Sequence, residues 1–239
     1  MARIPPEASV LPVMQVRSRE RVLLGANLYD GSEIHGQNNI SHPTRPGIVV
    51  NKDCDELLKS PIRRVFYLSA EPSSAGVRHQ VTREAHPRVL EKLNDSDAII
   101  FGCGSLFTSI CPCLCVGGIS EAIAKDQSRP RILMLNGSHD RETASMTVED
   151  VVLAIVSALN QGRTDGLELP ASSYISVLIV PKGGDFSLDE KRLYSLGIQR
   201  IVEVDSVKDS KGRVVYEVTS VINALQIYAN QTMAGHREK

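Results

Sequence analysis

Apolar residues along this chain gather into short runs, separated by stretches rich in glycine, proline and hydroxyl side chains. The sharpest run is Ala98-Ile-Ile-Phe101, bounded by Asp97 and Gly102, and it predicts a strand buried on both faces, as in a parallel sheet. It empties into Gly102-Cys-Gly-Ser-Leu-Phe-Thr-Ser109, where Gly102 and Gly104 allow positive φ and close backbone approach. Upstream, Arg21–Tyr29 and Ser32–Gln37 flank Asp30-Gly31, a strong hairpin-turn signal, and the hairpin runs on to His42. Residues 43–61 lack periodicity and read as a surface loop, Ile62–Leu68 as a strand, and 69–80 as loop again. Val89, Leu90 and Leu93 recur at helical spacing, and Pro87 sets that helix start no earlier than His86.

The carboxyl-terminal half alternates. Gly117–Lys125 predicts a short helix, Arg131–Asn136 a strand, and Thr147 caps a helix that carries acids in its first turn and runs through Leu159. Tyr174–Val180 is a strand, Leu188–Leu196 a helix, Arg200–Val204 a strand, and Thr219–Ala229 a last amphipathic helix before a polar tail from Gly235. Strand, helix, strand, helix is the signature of an α/β fold: a parallel sheet in a three-layer, Rossmann-like arrangement with helices on both faces. Residues 21–42 are then a β-hairpin excursion from one domain spanning 1–239.

Charge narrows the partners. Twenty-seven Lys and Arg against 28 Asp and Glu give a formal net charge of −1, spread evenly, which argues against nucleic acid and acidic membranes. No apolar run approaches the ~20 residues of a membrane span, and the first residues lack a signal peptide's apolar core, so a soluble, cytoplasmic protein is expected. Of the five cysteines, Cys54 stands apart, while Cys103, Cys111, Cys113 and Cys115 crowd together. The odd number is no disulfide framework, and the spacing in Cys111-Pro-Cys-Leu-Cys115 lacks the paired clusters of a zinc site, which leaves small buried side chains as the default and no metal ligand named. His79 and His86 sit on polar ground and read as solvated.

Two consecutive strands thus end in polar loops, and parallel neighbours bring such loops together at one sheet edge. Gly102, Gly104, Ser105, Leu106, Thr108 and Ser109 are the candidate phosphate-binding turn, rich in N–H and hydroxyl donors. The competing reading is a tight strand-to-helix turn that needs glycine for geometry alone. Asn136, Glu142 and Thr143, after the next strand, are candidates to orient an acceptor hydroxyl or a magnesium shell. Against this, Asn136 can cap its own turn and Glu142 can start the next helix. Asn38 and Asn39 can hold a ligand or bond their own backbone. A dinucleotide dehydrogenase is excluded because no Gly-x-Gly-x-x-Gly opens a helix, and a nucleophile-elbow hydrolase because its Gly-x-Ser-x-Gly is missing.

With those residues in view, the chain resembles the 2-phospho-L-lactate transferase family, which includes the CofD enzymes and the YvcK-type gluconeogenesis factors. The family's Gly-Pro-Gly-Ser-Leu-Tyr-Thr-Ser stands here as Gly102 to Ser109, followed by Pro112 and Gly118-Ile119. Asn136, Glu142-Thr143 and Thr147-Val-Glu-Asp150 match its next strand end and helix start, and Tyr194 before Gly197 resembles its late tyrosine, which adds Tyr194 to the substrate candidates. Cys103 replaces a proline, Phe107 a tyrosine, Asp140-Arg141 a Pro-Gly and Val151 a histidine. The family's opening strand and Gly-Gly-Gly-Thr-Gly loop have no counterpart, so the expectation is a CofD-like domain that starts inside the family's fold. The resemblance implies a phosphorylated nucleotide or nucleotide-sugar ligand. It implies either transfer of a phospholactate-type group from a guanosine diphosphate donor to a hydroxyl, with Mg2+, or non-catalytic regulation of the YvcK kind. Subunit number is left open, a homo-oligomer included.

Overall fold

The computed structural model describes residues 8–15, 21–42, 57–71 and 78–236, with side chains to Tyr228. Two sheets organise it. The first is antiparallel in the order β2-β1-β3-β4, from β1 (Val22–Leu28), β2 (Glu33–His35), β3 (Ile62–Ser69) and β4 (Gln80–Val81). The second is parallel in the order β5-β6-β7-β8, from β5 (Ile99–Phe101), β6 (Arg131–Met134), β7 (Val177–Pro181) and β8 (Arg200–Val204).

The helices are α1 (Gln37–Ser41), α2 (Pro87–Asp95), α3 (Cys111–Leu114), α4 (Ile119–Ala124), α5 (Val148–Gln161), α6 (Glu190–Ser195) and α7 (Val218–His236). A π-helical turn, Leu106–Ile110, runs directly into α3. Residues β9 (Ser206–Lys208) and β10 (Val214–Tyr216) form an antiparallel ribbon that the apolar pattern does not announce.

The α/β class and the parallel sheet are as expected, and the alternation of strands and helices produces them. The amino-terminal part differs. The hairpin at Asp30-Gly31 forms with Gly31 at φ 85, yet β1 pairs with β3 along its whole length, so the expected excursion is half of a second sheet. Its second arm ends at His35, and Gly36, at φ 95, turns the chain into α1 rather than more strand.

One large core joins the sheets through α5. Leu24, Ala26 and Val65 of the antiparallel sheet share a cluster with Val152, Ile155 and Leu159 of α5 and with Phe101, Leu133 and Leu178 of the parallel sheet. The other face of the parallel sheet is covered by α7, whose Ala224 and Tyr228 pack on Ile132, Val177 and Ile179. That cover stops short of β5. Ile100 is 48% exposed, so β5 is buried on one face and not on both. The amino end of β6 is pinned by Arg129 and Arg131, buried guanidiniums that donate to the carbonyls of Ala122 (2.9 Å) and Arg129 (2.7 Å) respectively.

At the opposite, carboxyl end the β9–β10 ribbon closes on the loops. The Tyr216 hydroxyl donates to the carbonyls of Leu135 (2.6 Å) and Ile179 (2.8 Å), and the Val214 N–H donates to the Ser138 hydroxyl at 2.9 Å. A Cβ on Gly137 would stand 2.3 Å from the Val214 carbonyl oxygen, a backbone atom with no freedom to yield. Gly137→Ala is therefore expected to cost about 3 kcal/mol, read as a lowered urea midpoint with unchanged slope. An unchanged midpoint contradicts the close packing of ribbon on loop.

Candidate functional site

Because β5 and β6 are parallel neighbours, the segments Gly102–Ser105 and Asn136–Glu142 leave the sheet side by side at its carboxyl edge. Asn136 staples them. Its Nδ2 donates to the Gly104 carbonyl at 2.8 Å while its Oδ1 accepts from the Gly104 N–H at 3.3 Å, imitating one more rung of the ladder.

Glu142 is the second tie. It is 4% exposed. Its Oε2 accepts the N–H groups of Phe107 (2.7 Å) and Thr108 (3.1 Å), and its Oε1 accepts the Thr108 hydroxyl at 2.5 Å. Those N–H groups belong to the first turn of a helical segment, where no intrahelical acceptor exists. The chain thus meets that positive end with its own carboxylate. Asp140 shapes the loop beneath: its Oδ1 accepts from the N–H groups of Glu142 and Thr143, both at 3.0 Å, and from the Thr143 hydroxyl at 2.8 Å.

The antiparallel sheet reaches the same place through α1. Gln37 Nε2 donates to the Thr108 carbonyl at 3.2 Å, and Arg141 Nη1 donates to the carbonyls of Asn39 and Ile40, each at 3.0 Å. Beside Asn136 a cavity of about 450 Å3 opens between the strand ends and the segment after β7. Asn136 and Phe186 line both this cavity and a narrower gap that reaches Gly102 and Gly104.

The sequence model of the family described as 2-phospho-L-lactate transferase CofD matches residues 2–221. The chain belongs to the CofD family. Within it, the chain is 31% identical over 116 residues to a protein named gluconeogenesis factor from Halalkalibacterium halodurans, covering 47% of this chain and 36% of that protein. It is 20% identical over 171 residues to the Saccharomyces cerevisiae protein YNL011C, covering 66% of this chain and 37% of that one. A crystal structure of a UPF0052 family protein from Bacillus halodurans shares the fold, with a TM-score of 0.60 at 21% identity over 85% of this chain and 58% of that one. The chain spans less than half the length of the two relatives matched by sequence.

The predicted CofD-like site residues fall into two sets. Thr108, Glu142 and Thr143 are buried and hold the loops, and Leu106 is core. Asn39 bonds its own backbone, Nδ2 to the His35 carbonyl at 2.8 Å, whereas Asn38 is exposed on α1. Tyr194 stands 48% exposed on α6 and lines neither cavity at Asn136. Gly102, Gly104, Ser105 and Ser109 remain around the open turn.

Neither Gly102 nor Gly104 takes positive φ, which corrects that expectation. Gly104 is needed for space, since its Cβ would sit 3.2 Å from that of Ser109, while a Cβ on Gly102 meets nothing within 4 Å. Sequence reasoning missed Gln37 and Arg141. Only their place between two polar runs hinted at them.

Among the described residues no three His, Cys, Asp or Glu side chains converge in metal-ligating geometry. The magnesium that the resemblance implies is commonly held by one or two carboxylates and the ligand's own phosphates, and the carboxylates at these loops, Asp140 and Glu142, already accept N–H and hydroxyl donors. Of the four clustered thiols Cys111 is buried, Cys113 and Cys115 are half-buried and Cys103 is exposed, which corrects the expectation of buried side chains for Cys103; desolvation raises all four, Cys115 to about 12, away from the thiolate form. Cys54 lies outside the described residues. His86 is a helix cap, its Nδ1 accepting from the Arg88 N–H at 3.2 Å.

Burial pushes the Glu142 carboxyl up to about 6, against its three donors and with help from Asp140. The unfolded chain ionises first, from about 4.5, so this group's contribution to stability is present below that pH and is lost as pH rises through about 6. The stability difference between wild type and Glu142→Gln is expected to change by about 2 kcal/mol from pH 4 to 7, to the wild type's disadvantage. Glu142→Ala, which orphans the Phe107 and Thr108 N–H groups, is expected to cost about 3 kcal/mol at pH 7. Parallel stability curves for wild type and the glutamine variant contradict the buried placement.

Proposed function

We propose that this chain binds a nucleoside diphosphate compound, with the phosphates at the Gly102–Ser109 turn, and transfers its distal phospho-containing group to a hydroxyl acceptor: the acceptor oxygen bonds the distal phosphorus, the diphosphate bridge breaks, the nucleoside monophosphate leaves and the hydroxyl proton passes to it or to water. The observation that carries the reading is what the turn leaves open. The N–H groups of Cys103, Ser105 and Leu106 and the hydroxyls of Ser105 and Ser109 have no hydrogen-bond partner among the described residues. Convergent N–H and O–H donors at the carboxyl end of a parallel strand suit phosphate oxygens. Membership of the CofD family supports the same class of ligand.

Transfer of this kind asks little covalent chemistry of the protein, and rate comes from positioning and from donors aimed at developing charge. Here the positioning is internal. Asn136 and Glu142 fix the turn, so its unpartnered donors are held in place before a ligand arrives. That same economy favours a second reading, a non-catalytic nucleotide-sugar-binding regulator of the gluconeogenesis-factor type. Glu142, the buried acid nearest the turn, has its oxygens occupied by three donors and is poorly placed to serve as a general base. Turnover with a hydroxyl acceptor selects the first reading, and binding without turnover the second.

Titration calorimetry with pyrophosphate is expected to show binding that Ser105→Ala and Ser109→Ala each weaken about tenfold, the worth of one charge-assisted hydrogen bond. Gly102→Ala separates ligand approach from folding. The position has open space and ordinary φ, so the variant is expected to melt like wild type yet bind pyrophosphate more weakly. Unaltered affinity in all three variants contradicts the assignment of the turn.

A further inference from the structure

The 450 Å3 cavity beside Asn136 is built, polar at particular points, and used by nothing described so far. Its walls are mixed: the side chains of Leu135, Val148, Val180, Phe186 and Ile201 stand beside polar surface from Asn136, Glu190 and Glu203. The segment over it is anchored at both ends. The Asp185 N–H donates to the Gly137 carbonyl at 2.9 Å, and the Asp189 N–H donates to Glu149 Oε1 at 2.7 Å. Phe186 is held between them, its ring 4.0 Å from that of His139. A cavity of this volume, with mixed walls and an anchored segment beside it, suits a small molecule that carries both apolar and polar groups.

Charge in the cavity has one sign. Glu203, on β8, follows Ile201 on the same strand face, and Glu190 opens α6 on the other side; both line the space, and neither has a hydrogen bond or ion pair among the described residues. Among the described residues no lysine or arginine lines it. The nearby Lys182 ammonium pairs with Asp205 at 2.6 Å and also feels the Glu203 carboxylate. A carboxylate only accepts hydrogen bonds, so whatever enters here must bring donors, and a phosphate or a carboxylic acid would be repelled. The turn at Gly102–Ser109 differs in offering unpartnered N–H and hydroxyl donors and no free carboxylate. Asn136, shared by the cavity and by the staple to Gly104, places the two within one ligand's length.

We propose that this cavity takes the uncharged nucleoside end of the phosphorylated ligand, its N–H and O–H donors accepted by Glu190 and Glu203 and its base against Phe186. The assignment rests on the reading of the turn as the phosphate end, and it makes Glu190 and Glu203 the residues that set which nucleoside is preferred.

The test is calorimetry on the full chain with pyrophosphate, with the diphosphates of guanosine, adenosine, cytidine and uridine, and with the four bare nucleosides. Wild type, Glu190→Gln and Glu203→Gln are compared; both positions are exposed, and matching melting temperatures confirm the fold. At least one nucleoside diphosphate is expected to bind wild type about tenfold or more tighter than pyrophosphate, and the glutamine variants to lose about tenfold of that margin with pyrophosphate unchanged. Nucleoside diphosphates no tighter than pyrophosphate overturn the proposal, as does a margin that both variants leave intact. Bare nucleosides that bind and respond to Glu203→Gln, with pyrophosphate inert, uphold the cavity and refute the phosphate turn. No heat from any compound overturns both.

Discussion

A carboxylate that never leaves the protein shapes this site. Glu142 takes two N–H groups and a hydroxyl from the turn after β5, donors that a bound anion would otherwise be offered. The cost is visible in the carboxyl itself, which burial raises toward neutrality in spite of those three partners. What it secures is order. With Phe107 and Thr108 tied down, the π-helical turn begins at a defined place, and the N–H groups just upstream, at Cys103, Ser105 and Leu106, have no partner among the described residues. An internal carboxylate therefore occupies the positive end of this turn.

Three parts of the fold meet around that carboxylate. The parallel sheet supplies the two adjacent strand ends, and Asn136 binds them together. The antiparallel sheet contributes α1, fastened by Gln37 and Arg141. The β9–β10 ribbon closes the remaining side through Tyr216 and the tight contact at Gly137. Apart from the packing at Gly137, each fastening is a hydrogen bond to a backbone carbonyl or N–H, so it fixes the path of the chain and leaves side chains such as Ser105 and Ser109 uncommitted.

Much of this is legible in the sequence. The parallel alternation from residue 98 onward follows from apolar runs and caps, and Thr147 and Asp150 form the capping box their spacing suggests. The convergence of the loops at Gly102 and Asn136 follows from strand adjacency. What stays hidden depends on distant partners. The second sheet is hidden because β1 pairs with β3 across residues that carry no pattern. Arg131 reads as a polar strand start, yet it is buried because carbonyls at the ends of neighbouring segments gather around it. Glu142 reads from sequence as a ligand group or a helix start, and its tie to donors more than thirty residues upstream carries no local signal. The pair Glu190 and Glu203 carries no local signal, since only the return of β8 beside β7 brings them to one cavity.

The most direct test is an amide chemical-shift titration with pyrophosphate. The account expects the largest changes at the amides of Cys103, Ser105 and Leu106, with Phe107 and Thr108, already held by Glu142, moving little. Dominant shifts at Phe107 and Thr108, or shifts confined to surfaces away from the carboxyl edge of β5 and β6, would contradict it.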